Sequence, residues 1–261
     1  MKIKNKKIIP LLIVSIFILG GCANSQSDMD KSNHKWSQKD KTPSEELAKS
    51  VLTSSIKEQL KTDNIKFDHG SFIVNNNNND LAIINVVDPY AKNEIDIQGR
   101  PYLGEAVLPK SIQNNEKDNK DEKVIPQFGW GQKSNLKGFY KKAYTKGFLL
   151  NSKLIGGVKD FNDSGSNMEN IFTQTVWASE ANDSSSKGQK YFENMIHKVQ
   201  DKNMIIKYRV KALYDGSNIV PSGTEIEAKS NDFSLEIHVF IPNVQPNLKV
   251  DYKTGQVTEV K

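Results

Sequence analysis

Four histidines, one cysteine and a run of lysines hold most of the chemistry open to this chain of 261 residues. His34, His69, His197 and His238 are the candidate proton carriers. His34 lies in a polar stretch and His69 in a polar turn ahead of a β-forming run, so both read as solvated. His238 alternates with Leu235, Ile237, Val239 and Ile241, which puts it with Glu236 on the outer face of a strand. His197 differs, because it follows Glu193 by four residues. On a helix both side chains leave from one face, and that spacing can clip a metal, although helix surfaces carry such pairs routinely.

The lysines are clustered. Between Phe128 and Lys159 stand seven of them, at 133, 137, 141, 142, 146, 153 and 159, with no acidic residue. Phe139, Tyr140 and Tyr144 are interleaved. Cations alternating with rings suit a phosphate backbone whose bases stack on aromatic side chains. A solvated loop would carry the same composition. Lys207, Arg209 and Lys211 either extend this patch or form the exposed side of a strand.

The single cysteine carries a different chemistry. Lys2, Lys4, Lys6 and Lys7 precede an apolar run from Ile8 to Leu19, broken only by Pro10 and Ser15. That run is too short for a permanent span and reads as a cleaved signal segment of residues 1–21. It ends in Leu19-Gly20-Gly21-Cys22, which resembles the lipobox of bacterial lipoproteins, with Cys22 as the thiol that takes the lipid. The protein is then expected on the extracytoplasmic face of the cell membrane, held by a lipid anchor. With no second cysteine, disulfides are excluded. The net charge is +5, but residues 1–21 hold four lysines and no acid, so a chain beginning at Cys22 carries +1. Any affinity for a polyanion must therefore come from where charge sits rather than from its total.

Positioning these groups requires a folded domain. Residues 22–41 are polar, without apolar period, and read as a flexible tether. Residues 42–261 suffice for one sizeable core. Thr42-Pro43-Ser44-Glu45 has the form of a capping box, and Leu47, Val51, Ile56 and Leu60 predict one helix to about Lys61. Ser71–Val74 and Leu81–Val87 read as strands flanking a solvated turn of five asparagines, 75–79. Residues 113–123 contain nothing apolar and read as an exposed loop. A helix is predicted from about Lys187 to Gln200, a half-buried strand from Ile206 to Tyr214, another through Leu235–Ile241, and a hairpin closed by Asp251–Gly255. Strands outnumber helices and no βαβ alternation appears, so the class is α+β with a central mixed or antiparallel sheet flanked by helices.

Several separated motifs, in order, resemble the DNA/RNA non-specific endonuclease family, whose fold is the ββα-metal or His-Me finger. They are SFIVNNN (71–77), GWGQKSNLKGFY (129–140), KGFLLNSKLIGG (146–157), SNMENIFTQTVWAS (166–179), GQKYFEN (188–194), EIEAKS (225–230) and VDYKTGQV (250–257). The resemblance is nearest to membrane-anchored DNA-entry nucleases and runs from about Leu47 to the C-terminus. It implies a nuclease-like domain over 42–261. In that family an Asp-Arg-Gly-His histidine activates water, an asparagine holds Mg²⁺ and a glutamate supports the hydrated ion.

Here the matching tetrad reads Thr145-Lys146-Gly147-Phe148, so Phe148 stands at the base position, and Ser179 falls where the metal asparagine belongs. Asn170 and Glu193 match. Phe148 accepts no proton, and losing a general base costs on the order of 10²–10⁴ in rate. A hydroxyl is also a poorer Mg²⁺ ligand than an amide oxygen. No catalytic set is intact, a metal at Ser179 and Glu193 is doubtful, and no cofactor is expected unless the domain is active with Mg²⁺. Three readings stay open. The domain binds extracellular DNA without cutting, through Lys137, Lys141, Lys142, Lys146 and Lys153; or it pairs as a decoy with a related nuclease or its inhibitor; or it is a working endonuclease.

Overall fold

Short runs with a two-residue apolar period, separated by Gly, Asn and Asp turns, predict a sheet protein with few helices. The computed structural model describes residues 37–82, 88–108, 127–156 and 158–260. The signal segment, Cys22, most of the tether, the end of the Leu81–Val87 run and the 113–123 loop fall outside those residues. Among the described residues no helix is long and apolar enough to cross a membrane.

In chain order the elements begin with α1 (Gln38–Lys41), α2 (Glu45–Lys49), α3 (Ser54–Leu60), β1 (Ile65–Asp68), β2 (Ser71–Val74), β3 (Tyr90–Ile95) and β4 (Pro101–Leu108). The middle holds β5 (Tyr144–Phe148), α4 (Ser152–Ile155), β6 (Ile171–Thr175), α5 (Val176–Glu180), β7 (Asn182–Asp183), β8 (Ser186–Lys187) and α6 (Gln189–Gln200). Then come β9 (Ile206–Leu213), β10 (Gly223–Ser230), β11 (Glu236–Pro242), β12 (Leu248–Val250) and β13 (Val257–Glu259). Seven strands pair in the order β1-β2-β11-β10-β9-β4-β3, every neighbour antiparallel. The expected α+β class is what the chain adopts, and its sheet is antiparallel throughout.

One face of the sheet carries the main core. Ile206, Tyr208, Val210 and Ala212 of β9 and Ile226 and Ala228 of β10 are fully buried there. Leu149 and Leu150, between β5 and α4, press onto this face at Gly104 of β4, where an added Cβ would lie 2.8 Å from Leu150 Cγ. That approach brings the β5–β6 hairpin and α6 over the sheet.

The opposite face corrects one expectation and bears on an open alternative. His238 is buried rather than solvated. Its two ring nitrogens lie 2.9 Å from the Asn78 carbonyl and 2.7 Å from Glu225 Oε1, and both partners are acceptors. An acceptor at each nitrogen suits the doubly protonated imidazolium. Burial alone would lower its pKa, but the Glu225 carboxylate and the Asn78 carbonyl outweigh that and raise it. Burial likewise pushes Glu225 up, and His238 with Lys211 more than reverses the shift.

Lys211 binds Glu225 at 2.7 Å, and Arg209 binds Glu227 at 2.6 Å and pairs with Asp80. Lys207 donates to Tyr90. Arg209 and Lys211 are thus neutralised inside a cross-strand ion network. Of the two readings left open, this pairing fits the strand face.

Smaller departures have local causes. The first predicted helix is two, because Ser44 caps α2 and Thr53 restarts the chain as α3. The Thr42 hydroxyl, assigned above to a capping box, instead donates to the Ser185 carbonyl. Ser37–Lys41, the last residues of the segment read as tether, form a helical turn on the domain: the Lys41 carbonyl accepts from Tyr140 and Ser186. The asparagine turn is partly docked, since the Asn79 amide donates to the Ala228 and Ile237 carbonyls.

Candidate functional site

The hairpin β5–β6 and helices α5 and α6 build one cleft. Tyr144–Phe148 pairs antiparallel with Ile171–Thr175, setting Phe148 opposite Ile171 and Gly147 opposite Phe172. Gly147 cannot be larger, because a Cβ there would lie 2.6 Å from the Phe172 ring and 2.8 Å from Gln174 Oε1. At the end of β6, Thr175 turns the chain and caps α5 by accepting from the Ala178 N–H. Asn243 fixes this corner to the sheet: its Oδ1 accepts from Thr175 N–H, and its Nδ2 donates to the Thr173 and Pro221 carbonyls. Trp177, fully buried, donates its indole N–H to Ser186.

The cleft enclosed by these elements measures about 250 Å³, and its walls include Phe148, Leu154, Ser179, Glu193 and His197. The three positions assigned by resemblance to base, metal ligand and supporting carboxylate therefore converge, though 45 residues separate Phe148 from Glu193 in sequence.

Glu193 is buried, and both its oxygens are engaged. Gln189 Nε2 donates to Oε1 at 2.8 Å, and Asn151 Nδ2 donates to Oε2 at 3.0 Å. Burial pushes its carboxyl above the usual range, a shift opposed by those two amides and by the charges of Lys190 and Lys153. Gln189 also donates to the Phe148 carbonyl, and its Oε1 accepts from Gln174. The i, i+4 pairing of Glu193 with His197 is not realised as a clip. His197 Nδ1 lies 3.3 Å from Asp201 Oδ2, one turn further along the helix.

Asn170 lies outside this cleft. Its Oδ1 accepts from the Leu150 N–H and its Nδ2 donates to the Leu150 carbonyl, both at 2.9 Å and fully buried. It acts as a clasp that continues the β5–β6 pairing past Phe148. Sequence reasoning did not single out Gln189, Asn151 or Lys190. The i, i+4 spacing of Gln189 and Glu193 carried a signal for the first, but nothing local pointed to Asn151, which caps α4 as well.

The lysine run does not form one patch. Lys146 and Lys153 line the cleft together with Lys190. Lys146 donates to the Gly165 carbonyl. Lys141 borders a separate depression beside Phe139, Tyr140 and Glu180, and Lys137 and Lys142 are exposed on the 128–143 loop. Two of the interleaved rings are structural: Tyr144 is buried with its hydroxyl on the Gly255 carbonyl, and Tyr140 is tied to Lys41.

No family model matches this sequence. Solved structures do. NucA from Streptococcus agalactiae, with no metal bound, is 32% identical, has a TM-score of 0.72, and is matched over 100% of its length by 81% of this chain. The chain belongs to the non-specific endonuclease-like family. The magnesium-bound structure of the same NucA gives 33% identity, a TM-score of 0.73, and coverage of 82% of this chain and 100% of that one. The zinc-bound Sda1 nuclease shares the fold, at 16% identity and a TM-score of 0.50 over 66% of this chain and 82% of its own. In this nuclease-like domain the cleft between the β5–β6 hairpin and α6 lies at the positions the family resemblance marked.

Proposed function

We propose that this chain is a lipid-anchored surface protein whose nuclease-like domain holds nucleic acid without cutting it. One observation carries the reading. In the cleft a phenylalanine occupies the family's base position, while the buried carboxylate beside it is held by two amides.

A magnesium ion does not suit this donor set. Ser179 offers a neutral hydroxyl, and Glu193 is engaged on both oxygens by amide donors, with burial raising its pKa. Mg²⁺ demands near-ideal octahedral oxygen geometry and dehydrates reluctantly, so a neutral hydroxyl beside a carboxylate already engaged on both oxygens holds it poorly. What the cleft retains is the charge of Lys146, Lys153 and Lys190, while Phe148 stands at the family's base position and the histidine lining it, His197, is paired with Asp201. Cations without a general base positioned at the scissile phosphate bind a phosphodiester and leave it intact.

The test is a plasmid-nicking assay on the full chain in detergent, with Mg²⁺ and Mn²⁺, beside gel retardation at two salt concentrations. Retardation without nicking is expected. Changing Lys146, Lys153 and Lys190 together to Glu should weaken retention and flatten its salt dependence, each lost phosphate contact removing about 0.9 from the log–log slope. Nicking by the unmodified chain would return it to the enzymes. Absence of retardation would favour a decoy that engages a related nuclease or its inhibitor.

Anchoring has its own test. Cys22 is the only thiol, so Cys22→Ala should abolish palmitate labelling and move the protein out of the detergent-rich phase. Persistent labelling would exclude the lipoprotein reading.

A further inference from the structure

The cleft's lining combines two kinds of chemistry. Its lining joins the apolar side chains of Phe148 and Leu154 to Lys146, Lys153 and Lys190, with the carboxylates of Glu180 and Glu193 also present. Phe148 is only half-buried, so part of its ring faces the cavity. Its carbonyl is held by Gln189 and its strand by β6, which fixes the backbone that carries the ring. The neighbouring carboxylate, Glu193, is buried and engaged on both oxygens by the Gln189 and Asn151 amides.

We infer that this cleft takes an unpaired nucleotide, with the base laid on the Phe148 ring and the adjoining phosphates at the lysines. The inference rests on the nucleic-acid-binding reading and narrows its ligand to single-stranded DNA or RNA. In a duplex each base is stacked on its neighbours and shielded from a ring inside a narrow cleft, so a duplex offers phosphates alone. A single strand offers both parts. Stacking on an aromatic ring is tolerant of sequence and adds to the electrostatic attraction of the groove. A phenylalanine at the position that the resemblance assigns to the base thus supplies a stacking platform in place of a proton acceptor.

The measurement is fluorescence anisotropy of the full chain in detergent, with one labelled oligonucleotide used as a single strand and as its duplex. The single strand should bind more tightly. Phe148→Ala should weaken single-strand binding about tenfold while leaving the duplex within about twofold of the unmodified protein. Phe148→Leu, which keeps apolar volume but no flat face, should lose as much as Phe148→Ala, and Phe148→Trp should bind at least as tightly as the parent. Because Leu and Trp preserve the filling of the cleft, they decide the matter even if the alanine variant unfolds.

Parent-like binding by Phe148→Leu would overturn the stacking inference. So would equal losses on strand and duplex. In either case lysine-dependent retention would still stand, whereas failure to bind either form would remove the binding reading as well.

Discussion

Phe148→His combined with Ser179→Asn is expected to give the nuclease-like domain metal-dependent nicking that neither change gives alone. Both residues line one cleft, on β5 and α5, and Glu193 of α6 closes its third side. Phe148→His supplies a base beside a poor ligand, and Ser179→Asn supplies an amide oxygen with no base to accompany it. Groups that act as a unit are strongly non-additive. The singles should stay near background, and the double variant should exceed both by about 10²-fold, the lower end of what a positioned general base contributes. Imidazole in place of a half-buried ring risks a void and an unpaired nitrogen, so a thermal melt must accompany the assay. A double variant no better than the singles would show that these positions are not the missing pair. Metal-dependent cutting by the parent, abolished in Glu193→Ala, would overturn the impaired-centre reading altogether.

Asn170→Ala is expected to destabilise the domain by about 3 kcal/mol, since it strands both the N–H and the carbonyl of Leu150 in the core at about 1–3 kcal/mol each. For a domain of this size that corresponds to a fall in Tm of roughly 6–12 °C. The residue matches the family motif, which suggested part of a catalytic set. Its side chain instead closes two buried backbone bonds. Nucleic-acid retention by the folded fraction should therefore be unchanged. A variant of parental Tm that had lost retention would place Asn170 in the binding surface after all.

How much was legible in the sequence depended on how local each cause was. The half-buried strand through Ile206–Leu213 follows from a period of two, and α6 from apolar positions on one helical face, so both were predictable. The class followed from the count and order of such runs. The break between α2 and α3 was missed because Thr53 can cap a new helix as well as continue an old one. His238 was misplaced because alternation locates a face but not what covers it. Here the asparagine turn and Glu225 seal the outer face of β11.

The sequence by itself determined the family-like motifs, their order, the single thiol and the phenylalanine at the position that the resemblance assigns to the base, because each is a matter of residue identity. Only the tertiary structure decided which charges and carboxylates are available. Side chains far apart in the chain, Asn151 with Glu193 and Arg209 with Glu227, become partners through sheet register and helix docking. Their engagement changes what each group can do. The same packing divided the lysine run, sending Lys146 and Lys153 to the cleft and Lys141 to another depression, because backbone direction rather than composition sets where a cation points.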